Sequence, residues 1–471
     1  ALALLQPQNV LLIYNSQNAE SLAVRNAYIT ARPGIHQFDL NDATILPGEI
    51  SRTDYNAKIR SRVKDFINGV STGSDISGQI MSIATTRGLP AALTGNNENS
   101  NVSAWASLES ELTLLQQDLE QGPNPGQLPF RFNGVVDNPY HRQTSVTITS
   151  FSRANVKVQR SFSNVESSPA GFQTWVATAM GAGDIYLVCR LDSAPIPGGN
   201  SAVQNIQALI TRSSNLSVTP CQTQVLLDAD LNGQLDAGSL PPRYTSNVPD
   251  YLDTQNSLVP LGFLVTRDQT HNFITGPELV DQIHPLIALG SYGENHDING
   301  GENAPGTGTY ITTYNFHPAA MLVSYESYNG NSIIDGTQRE DHQQGMDFIA
   351  QGGSFTVSHA KEPFTFTVAD VRMLMVNMMQ YGLTYAEAAY TAIPGLSWQS
   401  TPLGDPLARI NVVNPPVTDF DCDLDTDIED LYAFNLAPRD VNADSVLTAA
   451  DYVFERNATR ASELTSITIG R

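Results

Sequence analysis

Near the C-terminal end of the chain, carboxylates recur at fixed intervals, and they do so twice. The first ladder is Asp419, Asp421, Asp423, Asp425, Asp427 and Asp430; the second is Asp440, Asn442, Asp444, Thr448 and Asp451. Counted from its first aspartate, each ladder offers side-chain oxygens at positions 1, 3, 5, 9 and 12, with a backbone carbonyl, that of Val446 in the second, at position 7. This is the ligand spacing of an EF-hand-type Ca2+ loop, in which a hard cation gathers six to eight oxygens in a flexible shell. Without a cation, carboxylates this close repel one another and hold the segment open, so order here is expected to depend on bound metal. The two ladders start 21 residues apart, and each is followed by an apolar helical run. Position 6 of each, where a sharp turn favours glycine, holds Leu424 or Ser445.

The charge of the whole chain points the same way. Its 471 residues carry 48 acids and 25 basic residues, for a net charge of −23. Between Asp419 and Arg456 there are eleven acids and two arginines, so the ladders hold a disproportionate share. Such a balance argues against nucleic-acid binding, which displaces phosphate counterions with basic stripes, and against adhesion to an anionic membrane. No apolar run approaches the roughly 18 residues of a spanning helix. The opening Ala1-Leu2-Ala3 resembles the small-residue end of a cleaved secretory signal. A secreted or cell-surface protein fits, and a cytosolic one stays open. Of three cysteines, Cys189 and Cys221 can pair and leave Cys422 odd inside the first ladder; equally, Cys189 is a buried thiol on a strand.

Upstream of Pro415-Pro416 the pattern alternates between short apolar runs and helical stripes. Val10–Tyr14 reads as a buried strand followed by a helix over 17–31, and Ser51-Arg52-Thr53-Asp54 opens a second helix. Ser103 can cap a third, with Trp105, Leu108, Leu112, Leu115 and Leu119 on its core face. Further strands are expected at 79–84, 185–189, 224–227, 258–265, 286–289 and 321–325, with helices at 200–213, 368–381 and 384–391. Strand and helix at this spacing imply an α/β fold with a mostly parallel, doubly wound sheet. β-Branched alternation over 145–165 suggests a hairpin inserted at about 140–170. The expected division is a body over 1–414, an acidic module over 415–458 and a tail over 459–471. The alternation Leu464–Ile469 reads as an added strand.

Candidate chemistry within the body is sparse. A third loop, Asp228, Asp230, Asn232 and Asp236 with Gly233 at position 6, has calcium-like spacing but Ser239 at position 12; its alternative is a solvated Asn-Gly turn. The ends of two strands read Ser291-Tyr292-Gly293-Glu294-Asn295-His296 and Ser324-Tyr325-Glu326-Ser327. In an open parallel sheet such carboxyl ends line the ligand crevice. His296 as base, Ser327 as nucleophile and Glu326 as orienting group form a conceivable set, against the alternative of polar turns. His317 and His359 stand alone. Nucleotide loops, the G-x-S-x-G elbow, H-E-x-x-H and C-x-x-C are absent from the sequence.

Several phrases occur in an order that resembles a family of large, uncharacterised exported bacterial proteins. They are Val10–Asn15, Arg87-Gly88-Leu89-Pro90, Leu187–Asp192, Ser291-Tyr292-Gly293, Ser397-Trp398-Gln399 and Gly404-Asp405-Pro406-Leu407, together covering about residues 8–411. The closing Gly-Asp-Pro also resembles gingipain-type cysteine peptidases, which implies a caspase-like α/β body. Those peptidases carry a catalytic His and Cys after successive strands. Ser291-Tyr292-Gly293 and Glu326-Ser327 stand in those places, so the resemblance implies a scaffold without the peptidase pair.

Residues 419–456 are similar to type I dockerin modules, small all-α pairs of calcium loops that bind cohesin domains. Dockerins often use Ser-Thr at loop positions 10 and 11, where this chain has Ile428-Glu429 and Ala449-Ala450. Together these resemblances imply a calcium-binding, non-catalytic extracellular protein. Its acidic module would serve assembly, with other copies of the chain or with a cohesin-like domain. A peptidase-like hydrolase with a substituted nucleophile, anchored by the same module, is the alternative.

Overall fold

The computed structural model describes residues 5–94, 106–116, 136–142, 159–162, 173–176, 185–228, 250–270, 274–291, 310–326, 328–335, 345–361, 363, 367–443 and 446–469. Ten strands form one sheet: β1 Val10–Tyr14, β2 His36–Asp39, β3 Ser82–Thr86, β4 Leu187–Leu191, β5 Gln224–Asp228, β6 Leu264–Asp268, β7 Leu286–Ser291, β8 Phe316–Ser324, β9 Phe355–His359 and β10 Ser400–Leu403. Across the sheet they run β6-β5-β7-β8-β9-β10-β4-β3-β1-β2. The α/β class and the mostly parallel sheet expected from the alternation are therefore present.

The pairing divides this sheet into two halves. β6, β5, β7, β8 and β9 are mutually parallel, and so are β10, β4, β3, β1 and β2. The halves meet antiparallel at the β9–β10 seam, where His359 lies opposite Ser400 and Val357 opposite Pro402. The carboxyl ends of the two halves consequently lie at opposite edges of the sheet. Strands buried on both faces, such as β1, β4 and β7, read as continuous apolar runs because helices cover the sheet.

Helix starts follow the capping chemistry. The Asn18 side chain accepts from Ser21 N at 2.9 Å and opens α1, Ala19–Ala31. Ser201 and Gln204 close a capping box on α2, Ala202–Arg212, and Thr384 with Glu387 does so on the later helix Tyr385–Ala392. Ser51 caps Arg52–Asp54 as expected, and the helix then passes through a π turn, Tyr55–Arg60. Two apolar clusters result. The larger underlies most of both halves, and the smaller packs Tyr55, Ile59 and Val63 with Leu108 and Leu112 against β1 and β3.

Four expectations need correction. The strand expected at 258–265 is instead the end of a helix, Asp250–Leu258, a 3-10 turn Val259–Leu261, and then β6. Pro260 lacks the N–H a ladder needs, and Gly262 at φ 89° turns the chain. The helix expected from Ser103 starts after Ser107, which accepts from Ser110 N at 3.0 Å; Trp105 and Leu119 lie outside the described residues. The tail is not an added strand, because one helix runs from Ala449 to Ile469. That stretch contains no glycine or proline, and intrahelical bonds prevail over an alternation with no partner backbone. Finally, the disulfide joins Cys221 to Cys422 across 201 residues rather than Cys189 to Cys221, and the alternative of Cys189 as a buried thiol on a strand, β4, is the one present.

Of the expected hairpin, Gln159–Phe162 and Gln173–Val176 are described. They pair antiparallel, in a small sheet with Val136–Asp137 and Gly395–Leu396.

Candidate functional sites

The two acidic ladders fold alike. In the first, Asp430 accepts backbone N–H groups from Phe420, from Asp421 at 3.3 Å and from Asp427 at 2.8 Å. In the second, Asp451 accepts from Val441 at 3.0 Å, Asn442 at 3.3 Å and Thr448 at 2.8 Å. Every partner is displaced by the same 21 residues. The left-handed residues repeat too, Cys422 at φ 66° matching Ala443 at φ 61°. Leu424, at the position that favours glycine, adopts φ 78°, so the missing glycine has not removed the turn. Helices Ile428–Leu436 and Ala449–Ile469 follow the loops. They pack through Phe434, whose ring lies 5.1 Å from Phe420 and 6.3 Å from Tyr452.

The first ladder holds a carboxylate oxygen that the protein does not satisfy. Asp419 is 3 % exposed, and its Oδ2 accepts from Leu424 N at 2.9 Å. Its Oδ1 is buried with no hydrogen-bond partner among the described residues. Native structures rarely leave such an atom bare. Asp419, Asp421 and Asp423 bring oxygens within 4.8 Å of one another, as do Asp425, Asp427 and Asp430. Desolvation first, then the neighbouring acids, pushes Asp419, Asp421 and Asp425 above the ordinary aspartate range. Asp451 instead is held low, chiefly by the Thr448 N–H. Further along the last helix Glu455 is fully buried, neither oxygen has a partner, and burial pushes its carboxyl up to about 7.

In the second ladder Asp440 is exposed, Asn442 is half-buried, and the Thr448 hydroxyl accepts from Ala450 N at 3.1 Å. Val446 is exposed at position 7, and Asp444 lies outside the described residues. The first ladder is tied to the body. The disulfide carries Cys422 to the turn Pro220–Gln222 just before β5, and Gln222 Nε2 donates to Cys422 O at 2.6 Å. Arg439 stacks 3.9 Å over the Phe420 ring and donates to Asp419 O at 3.3 Å.

Within the body, the carboxyl edge of the β5–β9 half gathers Asp228, Ser291, Ser324 and His359 at successive strand ends. Glu326 follows β8, fully buried, and its N–H donates to Ser324 Oγ at 3.1 Å. His359 is also fully buried. Its Nδ1 donates to Glu326 O at 3.4 Å, and its backbone N–H donates to Asn329 Oδ1 at 2.6 Å. That leaves His359 Nε2 without a partner among the described residues, a lone pair on an imidazole whose pKa burial lowers to about 4. Across the seam, Ser400 Oγ is also buried without a partner.

In the sequence His359 stands as a lone histidine. Its signal was the alternation Phe355, Val357, His359 ending a buried strand. The proposed partners His296 and Ser327 lie outside the described residues, as do Asp230, Asn232 and Asp236 of the third loop. Asp228 is buried at the end of β5 and accepts from Ile274 N at 3.0 Å. His317 accepts from Ala319 N at 3.1 Å, a local turn contact.

Comparisons with known proteins add little to this geometry. No family model matches the chain, and no curated protein does. Among solved structures, one described as the crystal structure of the Arg specific cysteine proteinase gingipain R superposes with TM-score 0.43 at 8 % identity, covering 86 % of this chain and 78 % of that one. Another, described as the structure of a protease, gives 0.39 at 10 % identity with the same coverages. At such scores the α/β architecture rests on its own strand pairing.

Proposed function

We propose that this chain is a calcium-binding, non-catalytic structural protein of the extracellular space. Its C-terminal segment acts as a dockerin-like pair of calcium loops, and its body is a caspase-like α/β scaffold. The observation that carries this reading is the bare Asp419 Oδ1 in a loop whose last aspartate, Asp430, gathers the same backbone N–H groups that Asp451 gathers 21 residues on. An all-oxygen donor set suits Ca2+ or Mg2+ rather than a softer metal, and the flexible 12-residue spacing favours Ca2+. A structural disulfide fits an oxidising compartment. Ile428, Tyr432 and Leu436 stand exposed at four-residue spacing on one helix, a face suited to another copy of the chain or to a cohesin-like partner.

Calorimetric titration of the full chain with Ca2+ should show two sites. Asp419→Ala should remove one and leave the second. In chelator, backbone amides of residues 419–456 should exchange with solvent quickly while those of β1–β10 stay protected, and any oligomer should dissociate. Absence of binding heat, with exchange and particle size unchanged in chelator, would sink the reading.

A second reading, a peptidase-like hydrolase held in place by the same segment, draws on His359. A neutral imidazole with a free Nε2 at a carboxyl edge has the state a general base needs. It requires turnover of a peptide or ester panel that His359→Gln reduces at least 100-fold. Turnover insensitive to that substitution, or no turnover, ends it.

A further inference from the structure

Cys422 sits between Asp421 and Asp423, inside the first acidic loop, and its sulfur is bonded to Cys221 in the body. We propose that this disulfide sets the cation affinity of the first loop, so that a dithiol reductant weakens binding there and leaves the second loop unchanged. The proposal rests on the calcium reading above, and regulation of that site is what it adds.

Three observations point to it. The bridge fixes a residue whose backbone is left-handed, φ 66°, a conformation that non-glycine residues leave readily when nothing holds them. The Gln222 side chain adds a hydrogen bond from the body to the same residue's carbonyl, so the loop is fastened at one point by two independent links. The chain also contains its own control. Ala443 occupies the matching place in the second loop at φ 61°, and alanine can form no such bridge.

The physical consequence concerns preorganisation. Carboxylates already held together bind a cation without the ordering that a loose, self-repelling loop must undergo. Asp419, Asp421 and Asp423 hold oxygens within 4.8 Å of one another, so release of the loop relaxes repulsion that a cation would otherwise neutralise. Cys221 and Cys422 are both half-buried and within reach of a small reductant.

The chemistry is a two-electron exchange. A dithiol thiolate attacks one sulfur and forms a mixed disulfide, and its second thiol then closes a cyclic disulfide. Cys221 and Cys422 leave as two thiols, having taken up two electrons and two protons from the dithiol. Cys189 is no exchange partner, since it is buried on β4 and its thiol is pushed well up by desolvation. Linkage makes the effect reciprocal: a cation that prefers the bridged loop must also protect the bridge from reduction.

The test uses the full chain with Asp440→Ala, which silences the second loop, and, separately, with Asp419→Ala, which silences the first. Each is titrated with Ca2+ before and after reduction by dithiothreitol. The first-loop protein should lose affinity tenfold or more on reduction, and the second-loop protein should not change. In the native chain, saturating Ca2+ should raise by the same factor the dithiothreitol needed for half reduction. The double variant Cys221→Ser/Cys422→Ser should bind like the reduced chain. If it fails to fold, the reduced native chain gives the same reading. Equal affinity of the first loop in both redox states overturns the proposal and leaves the calcium reading standing. No Ca2+ binding to the oxidised chain removes both.

Discussion

Buried acids in this molecule live under two regimes. In the body, Glu109 and Asp192 meet Arg190 at 3.1 and 2.9 Å, Asp405 meets Arg32 at 2.6 Å, Asp370 meets Arg142 at 2.8 Å and Glu111 meets Arg52 at 3.3 Å. Arg190 is saturated besides, donating to Pro90 O and Leu89 O at 2.9 Å. In the C-terminal segment, Asp419, Asp430 and Asp451 are as deeply buried, yet accept from backbone N–H groups, and Glu455, equally buried, has no hydrogen-bond partner among the described residues. These five body acids are neutralised by arginines of the chain. The four in the segment have no such arginine pair among the described residues, and that difference is the physical core of the calcium reading.

The comparison breaks hardest at Arg190. Arg190→Met strands Glu109 in the interior, while Asp192 keeps Arg87 at 2.9 Å, and loss of one partner from a buried ion pair costs about 3–5 kcal/mol. Chemical denaturation should show that loss for the body, and the double variant Arg190→Met/Glu109→Gln should recover part of it. A loss below about 1 kcal/mol would mean that the network is not a closed unit.

His359 sharpens the contrast from the basic side. Its folded-state pKa of about 4 lies below the unfolded value of 6.5. Below pH 6.5 the unfolded chain therefore takes up a proton that the folded chain refuses. The contribution is intact above pH 6.5 and is lost as pH falls towards 4, at up to about 1.4 kcal/mol per pH unit. His359→Gln should remove that slope from a stability–pH profile, whereas a profile unchanged by the substitution would mean the imidazole is protonated in place.

The smallest effect belongs to Glu455. Its folded pKa of about 7 lies above the ordinary 4.5, so stability is complete below 4.5 and declines as pH rises through 7. With calcium present, Glu455→Gln should raise the melting temperature of the last two helices at pH 8 and leave it unchanged near pH 5. A gain at both would place the effect in packing rather than ionisation.

Much of this was legible in the sequence, for definite reasons. Strands such as Val10–Tyr14 and Leu286–Ser291 announce themselves because burial on both faces demands unbroken apolar runs, and helix starts at Ser51, Ser201 and Thr384 are written in their capping side chains. β10, Ser-Thr-Pro-Leu, was not legible, although it is buried at the centre of the sheet. Its hydroxyls resemble those of a surface turn, and only its neighbours make it a strand. The disulfide was equally hidden, since a bridge across 201 residues follows from tertiary approach and not from spacing. The ladders were fully visible as a pattern, but the bare Oδ1 of Asp419 needed coordinates. His359 was missed because one histidine in a sequence carries no record of what surrounds it.

The placement of β10 also bears on how the chain can be made. Its residues 400–403 sit between strands that end at 359 and at 191, so this central strand is the last of the ten to be synthesised. Until then no strand of this sheet joins β9 to β4, and each of those two lacks a neighbour on the side that β10 fills. A nascent chain of this design must wait on a four-residue keystone, and any premature stop before it leaves two adhesive edges instead of one seam.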